Sequence, residues 1–203
     1  MIGTHRSEPF LKRKVTVMTK SVDPTSKANI VLLEEPDEDE MKARECLSGG
    51  LNKFSFGHPT KKNAGTLKVL NDACLPVHYR QWFYDALFTR DIKLSRLVYF
   101  NDNLVGAICC RIENLSDLYI MSITVLAPYR KRKIGSYLMH YIINYTKQHT
   151  ELKRIYLNVH TPNTSAQNFY KNAFNFSEVR RIDGYYTDLT PSDCFELELK
   201  IRD

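Results

Sequence analysis

Four consecutive cations, Arg130-Lys131-Arg132-Lys133, stand between a strand-like run and the residues Ile134-Gly135-Ser136. The run before them, 118–126, carries Leu118, Ile120, Ile123 and Val125 with Tyr119 and Met121 between, and it breaks at Ala127-Pro128. After the cations, Ile134, Tyr137, Leu138, Tyr141, Ile142 and Tyr145 recur on one face of an α-helix. A strand, a basic turn and a helix N-terminus can together hold a phosphate. The first N–H groups of a helix have no acceptor within it, the macrodipole adds roughly half a positive charge there, and a turn that gathers those amides is an anion site. The same pattern, on charge alone, also describes a solvated basic turn on an ordinary βα unit. A second stretch is needed to choose between them.

That stretch is 154–176. Ile155-Tyr156-Leu157-Asn158-Val159 reads as a short buried strand, Thr161-Pro162-Asn163 as a turn and helix cap, and Ala166, Phe169, Tyr170 and Ala173 as a helix face. The two stretches together resemble the GCN5-related N-acetyltransferase (GNAT) family. Its acetyl-CoA motif is Arg/Gln-x-x-Gly-x-Gly/Ala at a strand–helix junction, followed by an Asn-x-x-Ala-x-x-Phe-Tyr helix. Here these read Arg130-Lys131-Arg132-Lys133-Ile134-Gly135 and Asn163 through Ala166 to Phe169-Tyr170. Further segments fall in the order of the San type of N-terminal acetyltransferase, the catalytic subunit of NatE: Leu75-Pro76-Val77-His78-Tyr79, 97–102, 105–111, Leu118-Tyr119-Ile120-Met121, 126–130 and Tyr185-Tyr186. The resemblance covers about residues 52–203; its motifs are weak singly and specific as a set.

The resemblance implies a role for each position. Acetyl-CoA would lie in a splay between the strands 118–126 and 154–160. Ile123, Thr124, Val125 and Leu126 would meet pantetheine; the amides of Arg130, Lys131, Arg132, Lys133, Ile134, Gly135 and Ser136 would hold the pyrophosphate; Asn163 and Tyr170 would complete the cofactor site. Tyr119 stands at the family's catalytic tyrosine, and Tyr170 at the tyrosine that contacts the CoA sulfur and could act as acid. Read as bare residues, Tyr119 is an aromatic strand residue and Tyr170 a helix-packing one. The acceptor peptide would meet Leu75, Pro76, Val77, Tyr79 and Met121 on one side and Tyr185, Tyr186 and Leu189 on the other. Such apolar walls suit a hydrophobic second residue after the initiator Met, the family preference, with some lysine acetylation.

Asn158, Lys133 and Asn175 depart from the pattern. Asn158 stands where the family has its catalytic histidine, and an amide takes no proton near neutral pH, although it can orient a water. A positioned general base contributes roughly 10²–10⁴-fold. His160, two residues on and so on the same strand face, either substitutes through an extra water or is a turn-proximal histidine without a role. Lys133 replaces the first glycine of the phosphate turn, at about a kilocalorie or more if that position needs a positive φ. Asn175 replaces a glycine at a mild cost, because asparagine tolerates the left-handed region.

The elements that must position these residues are legible from pattern. Strands are expected at 53–56, 96–101, 104–113, 117–126, 154–160, 176–182 and 193–201, and helices at 63–72, from Tyr79 or Arg80 onward, at 134–149 and at 163–173. Asn101-Asp102-Asn103 signals a hairpin. The second helix should carry Trp82, Phe83, Leu87 and Phe88 on its apolar surface. The sum is an α/β layer structure; the resemblance makes it the GNAT acyl-CoA N-acyltransferase fold, a mixed, mostly antiparallel sheet flanked by helices.

The 203 residues suffice for one domain with a sizeable core. Residues 1–51 read as a disordered tail, basic and then acidic (Glu34 to Glu40), either a solvated extension or a segment that docks on a basic surface. The formal net charge of +6 permits nucleic acid, ribosome or an acidic cofactor and decides nothing, since an acetyl-CoA enzyme also needs local positive charge. Five irregularly spaced cysteines argue against a disulfide framework and for a reducing, cytoplasmic or also nuclear, compartment. Neither signal peptide nor membrane span is expected. The expected ligands are acetyl-CoA as co-substrate, without a metal, and N-terminal peptides, with no membrane and no direct specific nucleic acid. Two functions are open: an acetyl-CoA-dependent Nα-acetyltransferase, favoured by Tyr119, Tyr170 and the peptide-pocket set, or a weak paralogue that binds a NatA-type complex or the ribosome, favoured by Asn158 and Lys133. Acetylation of small amines would want carboxylates at the acceptor site, and 75–79 and 185–189 hold only Asp188.

Overall fold

The structure, a computed structural model, describes residues 54–88 and 92–203. The tail 1–51 and the expected strand start at Lys53 lie outside the described residues. The elements in chain order are β1 (Phe54–Gly57), α1 (Ala64–Cys74), α2 (Gln81–Ala86), β2 (Arg96–Phe100), β3 (Asn103–Glu113), β4 (Asp117–Val125), α3 (Ile134–Gln148), β5 (Arg154–His160), α4 (Thr164–Phe174), β6 (Ser177–Ile182) and β7 (Cys194–Lys200). The strands form one seven-stranded sheet in the order β1-β2-β3-β4-β5-β7-β6. Every neighbouring pair is antiparallel except β4–β5, the pair joined through α3.

Local chemistry explains the joints. Asn101 and Asp102 turn from β2 into β3 with φ of 46° and 63°, the double left-handed turn that matches strand twist. Asn114 and Leu115 make the same turn between β3 and β4, and Leu115, at φ 64°, is left 86% exposed. Asn163 caps α4 by accepting the Ala166 N–H at 3.1 Å. Asn175 ends that helix at φ 57°.

The sheet is covered on both faces. On one, Ile134, Tyr137, Leu138, Ile142 and Tyr145 of α3 pack on Val105, Ile108, Leu118 and Ile155. On the other, Leu67 and Leu70 of α1 with Phe83 and Tyr84 of α2 pack on Leu97, Ala107 and Cys109. Gly106 lets α3 close down on β3: a Cβ there would stand 2.7 Å from Ile134 Cγ2. Cys109 and Cys110 are buried free thiols, and burial pushes the Cys109 thiol up to about 12. Trp82 corrects one expectation. Phe83, Tyr84 and Leu87 form the buried face, and Trp82 turns out to 59% exposure; a six-residue helix seated through 83, 84 and 87 leaves 82 off that face.

β4 carries one irregularity. Cys109 pairs with Ser122 and Cys110 with Ile120, so Met121 is an extra residue in β4. Such a bulge re-aims the residues beside it.

Candidate active site

β4 and β5 pair at Asp117–Arg154, Leu118–Ile155 and Tyr119–Tyr156, and then part. β5 stays paired with β7 along all of Arg154–His160, so its far end is fixed away from β4. The edge of β4 beyond Tyr119 therefore opens onto a cleft. Leu126 N–H bonds the Val105 carbonyl at 2.9 Å, so by strand alternation Val125 and Ile123 present their backbone groups to the cleft side. Two carbonyls of this edge already accept from side chains: Val125 from Arg130 Nε at 3.2 Å, and Met121 from the Tyr79 hydroxyl at 2.7 Å.

Of the four expected cofactor contacts on β4, Ile123, Thr124 and Val125 line the cleft and Leu126 does not. Leu126 uses its N–H on Val105, and its carbonyl accepts the Tyr129 N–H at 2.9 Å. Thr124 lines the cleft while its hydroxyl donates to Asn71 Oδ1 of α1 at 3.3 Å. The backbone groups of both face β3, because alternation from Val125 sends them there.

Beyond β4 a short 3-10 turn, Ala127–Tyr129, leads into the basic turn. Lys131 and Lys133 both adopt the left-handed region, at φ 61° and 65°. The position of Lys133 thus does need a positive φ, at a cost of about 1 kcal/mol or more for a side chain with a Cβ. Lys133 is the N-terminal cap of α3 and gives no side-chain cap, and the first turn holds no acidic residue. The first intrahelical bond is Tyr137 N–H to Lys133 O at 2.9 Å; the amides of Ile134, Gly135 and Ser136 precede it, and these residues line the cleft. Arg130, Lys131 and Lys133 line it too. Arg132 does not: its guanidinium lies over the rings of Phe100 at 5.6 Å and Tyr129 at 5.7 Å. A Cβ on Gly135 would meet Phe169 of α4 at 3.4 Å, so a bare backbone there lets the two helices converge at the cleft wall. Asn163, spent on its cap, and Tyr170 lie along that wall.

At the parting of the strands stand Tyr119 and Asn158. The Tyr119 hydroxyl shares a hydrogen bond with that of Tyr185 at 3.3 Å, its ring lies 4.9 Å from the ring of Tyr156, and the Arg111 guanidinium lies 5.2 Å over it. Burial, then Tyr185, pushes the Tyr119 hydroxyl far above the ordinary phenol range, and Asn158 offsets a small part of this. Burial raises Tyr170 as well, with Cys110, Tyr186 and Tyr79 facing it. Both phenols are hydrogen-bond donors at neutral pH. Asn158 Oδ1 is buried and has no hydrogen-bond partner among the described residues, and Ser122 Oγ of β4 is alike. His160 Nε2 lies 2.5 Å from the Pro191 carbonyl and must donate to it; its ring meets Tyr186 edge-on at 5.3 Å.

The acceptor walls converge on the same place. Leu75, Pro76, Val77 and Tyr79 line one side, with Tyr79 stacked on Phe83 at 4.0 Å, and Tyr185, Tyr186 and Leu189 line the other. Met121 lies between them. The 183–193 loop is pinned at its base: Gly184 N–H donates to Asp193 Oδ1 at 3.0 Å, Arg181 pairs with the same carboxylate, and Tyr186 N–H bonds the Ser192 carbonyl at 2.8 Å. The reading of residues one by one missed the polar floor: Tyr156, Arg111, Glu113, Arg180 and Glu196. Alternation with Asn158 was the available signal for Tyr156. Both carboxylates are engaged, Glu113 by Arg111 Nε at 2.6 Å and the Tyr156 hydroxyl, Glu196 by Arg180 at 2.9 and 3.0 Å. Among the described residues no three His, Cys, Asp or Glu side chains gather as a metal site, and no helix is long and apolar enough to cross a membrane.

Residues 65–176 match the Acetyltransferase (GNAT) family. The chain is 36% identical over 153 residues to N-alpha-acetyltransferase 50 of Danio rerio, which covers 74% of this chain and 90% of that protein. It is 36% identical over 154 residues to the probable N-acetyltransferase san of Drosophila melanogaster, over 74% of this chain and 83% of that one. Among solved structures it is similar to Arabidopsis thaliana Naa50 in complex with the bisubstrate analogue CoA-Ac-MVNAL, with a TM-score of 0.67 and 35% identity over 72% of this chain and 98% of that one.

Proposed function

Because the chain belongs to the acetyltransferase (GNAT) family, we propose that it is an N-alpha-acetyltransferase that moves the acetyl group of acetyl-CoA onto protein N-termini beginning with Met and a hydrophobic residue. The observation that carries this reading is the parting of β4 and β5 after Tyr119 and Tyr156, with the cationic turn at one end of the resulting cleft and the peptide walls at the other. The pyrophosphate would take the amides of Ile134, Gly135 and Ser136, with Arg130, Lys131 and Lys133 adding charge. Pantetheine would run along the open edge at Ile123 and Val125. Tyr170 offers a proton on the α4 side, where the departing sulfur needs one.

The preference for Met and a hydrophobic residue rests on wall chemistry. Leu75, Pro76, Val77 and Leu189 offer no group to pair with a charge, and the carboxylates of the floor are already held by arginines. A charged second residue set against these apolar walls would be desolvated. The Met-Val start of the analogue bound by Arabidopsis Naa50 supports this preference. A second reading, a chain that binds a NatA-type complex or the ribosome with little turnover, is favoured by the amide at Asn158 and rests otherwise on family resemblance.

Isothermal titration with acetyl-CoA, paired with turnover of Met-Leu and Met-Glu peptides, tests the proposal. Binding with faster turnover of Met-Leu is expected. Binding without turnover of either peptide leaves the second reading standing.

A further inference from the structure

The attacking nitrogen must be neutral. Either a side chain removes its proton in the site, or the site takes an amine that is already neutral. The question rests on the acetyl-transfer reading, and the groups around Tyr119 and Asn158 answer it.

Most of the groups around Tyr119 and Asn158 are otherwise engaged. The Tyr119 hydroxyl shares a hydrogen bond with that of Tyr185, 3.3 Å away. The Tyr79 hydroxyl donates to the Met121 carbonyl. From β3, Glu113 lines the cleft but is held by Arg111 and the Tyr156 hydroxyl. From β7, Glu196 stands opposite Asn158 in register and is held by Arg180 of β6. From β5, His160 donates its Nε2–H to the Pro191 carbonyl and meets Tyr186 edge-on, which leaves Nδ1 as its acceptor. From α4, Tyr170 is buried and keeps its proton. Asn158 Oδ1 on β5, like Ser122 Oγ on β4, is buried and without a partner among the described residues. An amide oxygen accepts an N–H and does not titrate.

We infer that this site binds the acceptor amine in its neutral form, orients it on Asn158 Oδ1, and uses no protein group as general base. The α-ammonium gives one proton to solvent before it binds. The neutral nitrogen attacks the thioester carbonyl, the N–C bond forms and the C–S bond breaks. Nitrogen loses its second proton, and the CoA sulfur gains one as it leaves as the thiol. The products are the N-acetyl peptide and free CoA.

The test is kcat/KM from pH 6 to 9.5 for the full chain with a Met-Leu peptide and with an analogue whose first residue is trifluoromethionine, which makes the amine less basic. Acetyl-CoA affinity is measured over the same range. One ionisation is expected, at the peptide's own α-amine pKa of about 7.7–8.0, and it should move with the analogue. At pH 6.5 the rate should be roughly 5% of its plateau, the neutral fraction of such an amine. Asn158→Ala should keep the profile's shape while lowering the plateau by about tenfold, the loss of one hydrogen bond. A break that stays fixed when the amine is changed overturns the inference and assigns a protein base. Absence of turnover at pH 9.5 while acetyl-CoA still binds overturns it together with the acetyl-transfer reading.

Discussion

The hydroxyl oxygens of Tyr119 and Tyr185 stand 3.3 Å apart, joining the strand that opens the cleft to the loop that closes its acceptor side. Each tyrosine fixes the other. Tyr119→Phe should lower kcat at least tenfold and leave acetyl-CoA affinity unchanged, because the removed oxygen lies at the acceptor end of the cleft. Tyr185→Phe should act on the peptide instead, raising its KM about 2- to 10-fold, the range of a single hydrogen bond. Steady-state kinetics separates the two. Equal effects of both variants on acetyl-CoA binding would refute the assignment.

Lys133 holds a left-handed conformation at the start of α3. Lys133→Gly should be more stable than Lys133→Ala by about 1 kcal/mol, because only glycine escapes the Cβ clash. Urea unfolding measures the difference. Both variants should bind acetyl-CoA more weakly and with less dependence on salt, since both lose the same cation.

How much of this was legible in the sequence depends on how local the cause is. The Asn163 cap, the Asn101-Asp102 hairpin and the buried face of α3 follow from side chains acting within one turn or one helix period. The strained φ of Lys133 was legible only through the motif, which places a glycine there. What was hidden depends on partners distant in the chain. Arg132 leaves the cleft because Phe100 of β2 offers a ring. Leu126 spends its amide on Val105, and Trp82 turns outward because Phe83, Tyr84 and Leu87 seat the helix. The floor around Tyr156 forms where three strands beyond the cleft bring arginines to carboxylates.

Packing at the α3 start gives a sharp mutational test. Gly106→Ala should destabilise by about 1–3 kcal/mol, since the new methyl would stand 2.7 Å from Ile134 Cγ2. Ile134→Ala, which deletes that methyl, should cost about 2–5 kcal/mol alone. The double variant should be more stable than the sum of the single effects predicts, and a double-mutant cycle in denaturant reads the coupling. Strict additivity would show that β3 and α3 do not touch there.

Asp117 begins β4 under the hydrogen bond from Arg154 at 2.9 Å, which holds its carboxyl below the usual range against the opposing effect of burial. A carboxylate with a depressed folded pKa stabilises the fold above its unfolded pKa, about 3.9. That contribution is lost as pH falls from there through the lower folded value. Asp117→Asn should therefore be less stable than the parent at pH 6, with the gap narrowing below pH 4. Thermal melts across that window check it, and a gap that widens in acid would contradict the assignment.

The central claim is transfer to the α-amine of a protein N-terminus, and the site of modification tests it most directly. A Met-Leu peptide that also contains an internal lysine would be incubated with the chain and acetyl-CoA and sequenced by tandem mass spectrometry. The account predicts the acetyl group on the methionine nitrogen, and far slower modification when that amine is blocked. Acetylation confined to the lysine, or none while acetyl-CoA binds, would contradict it.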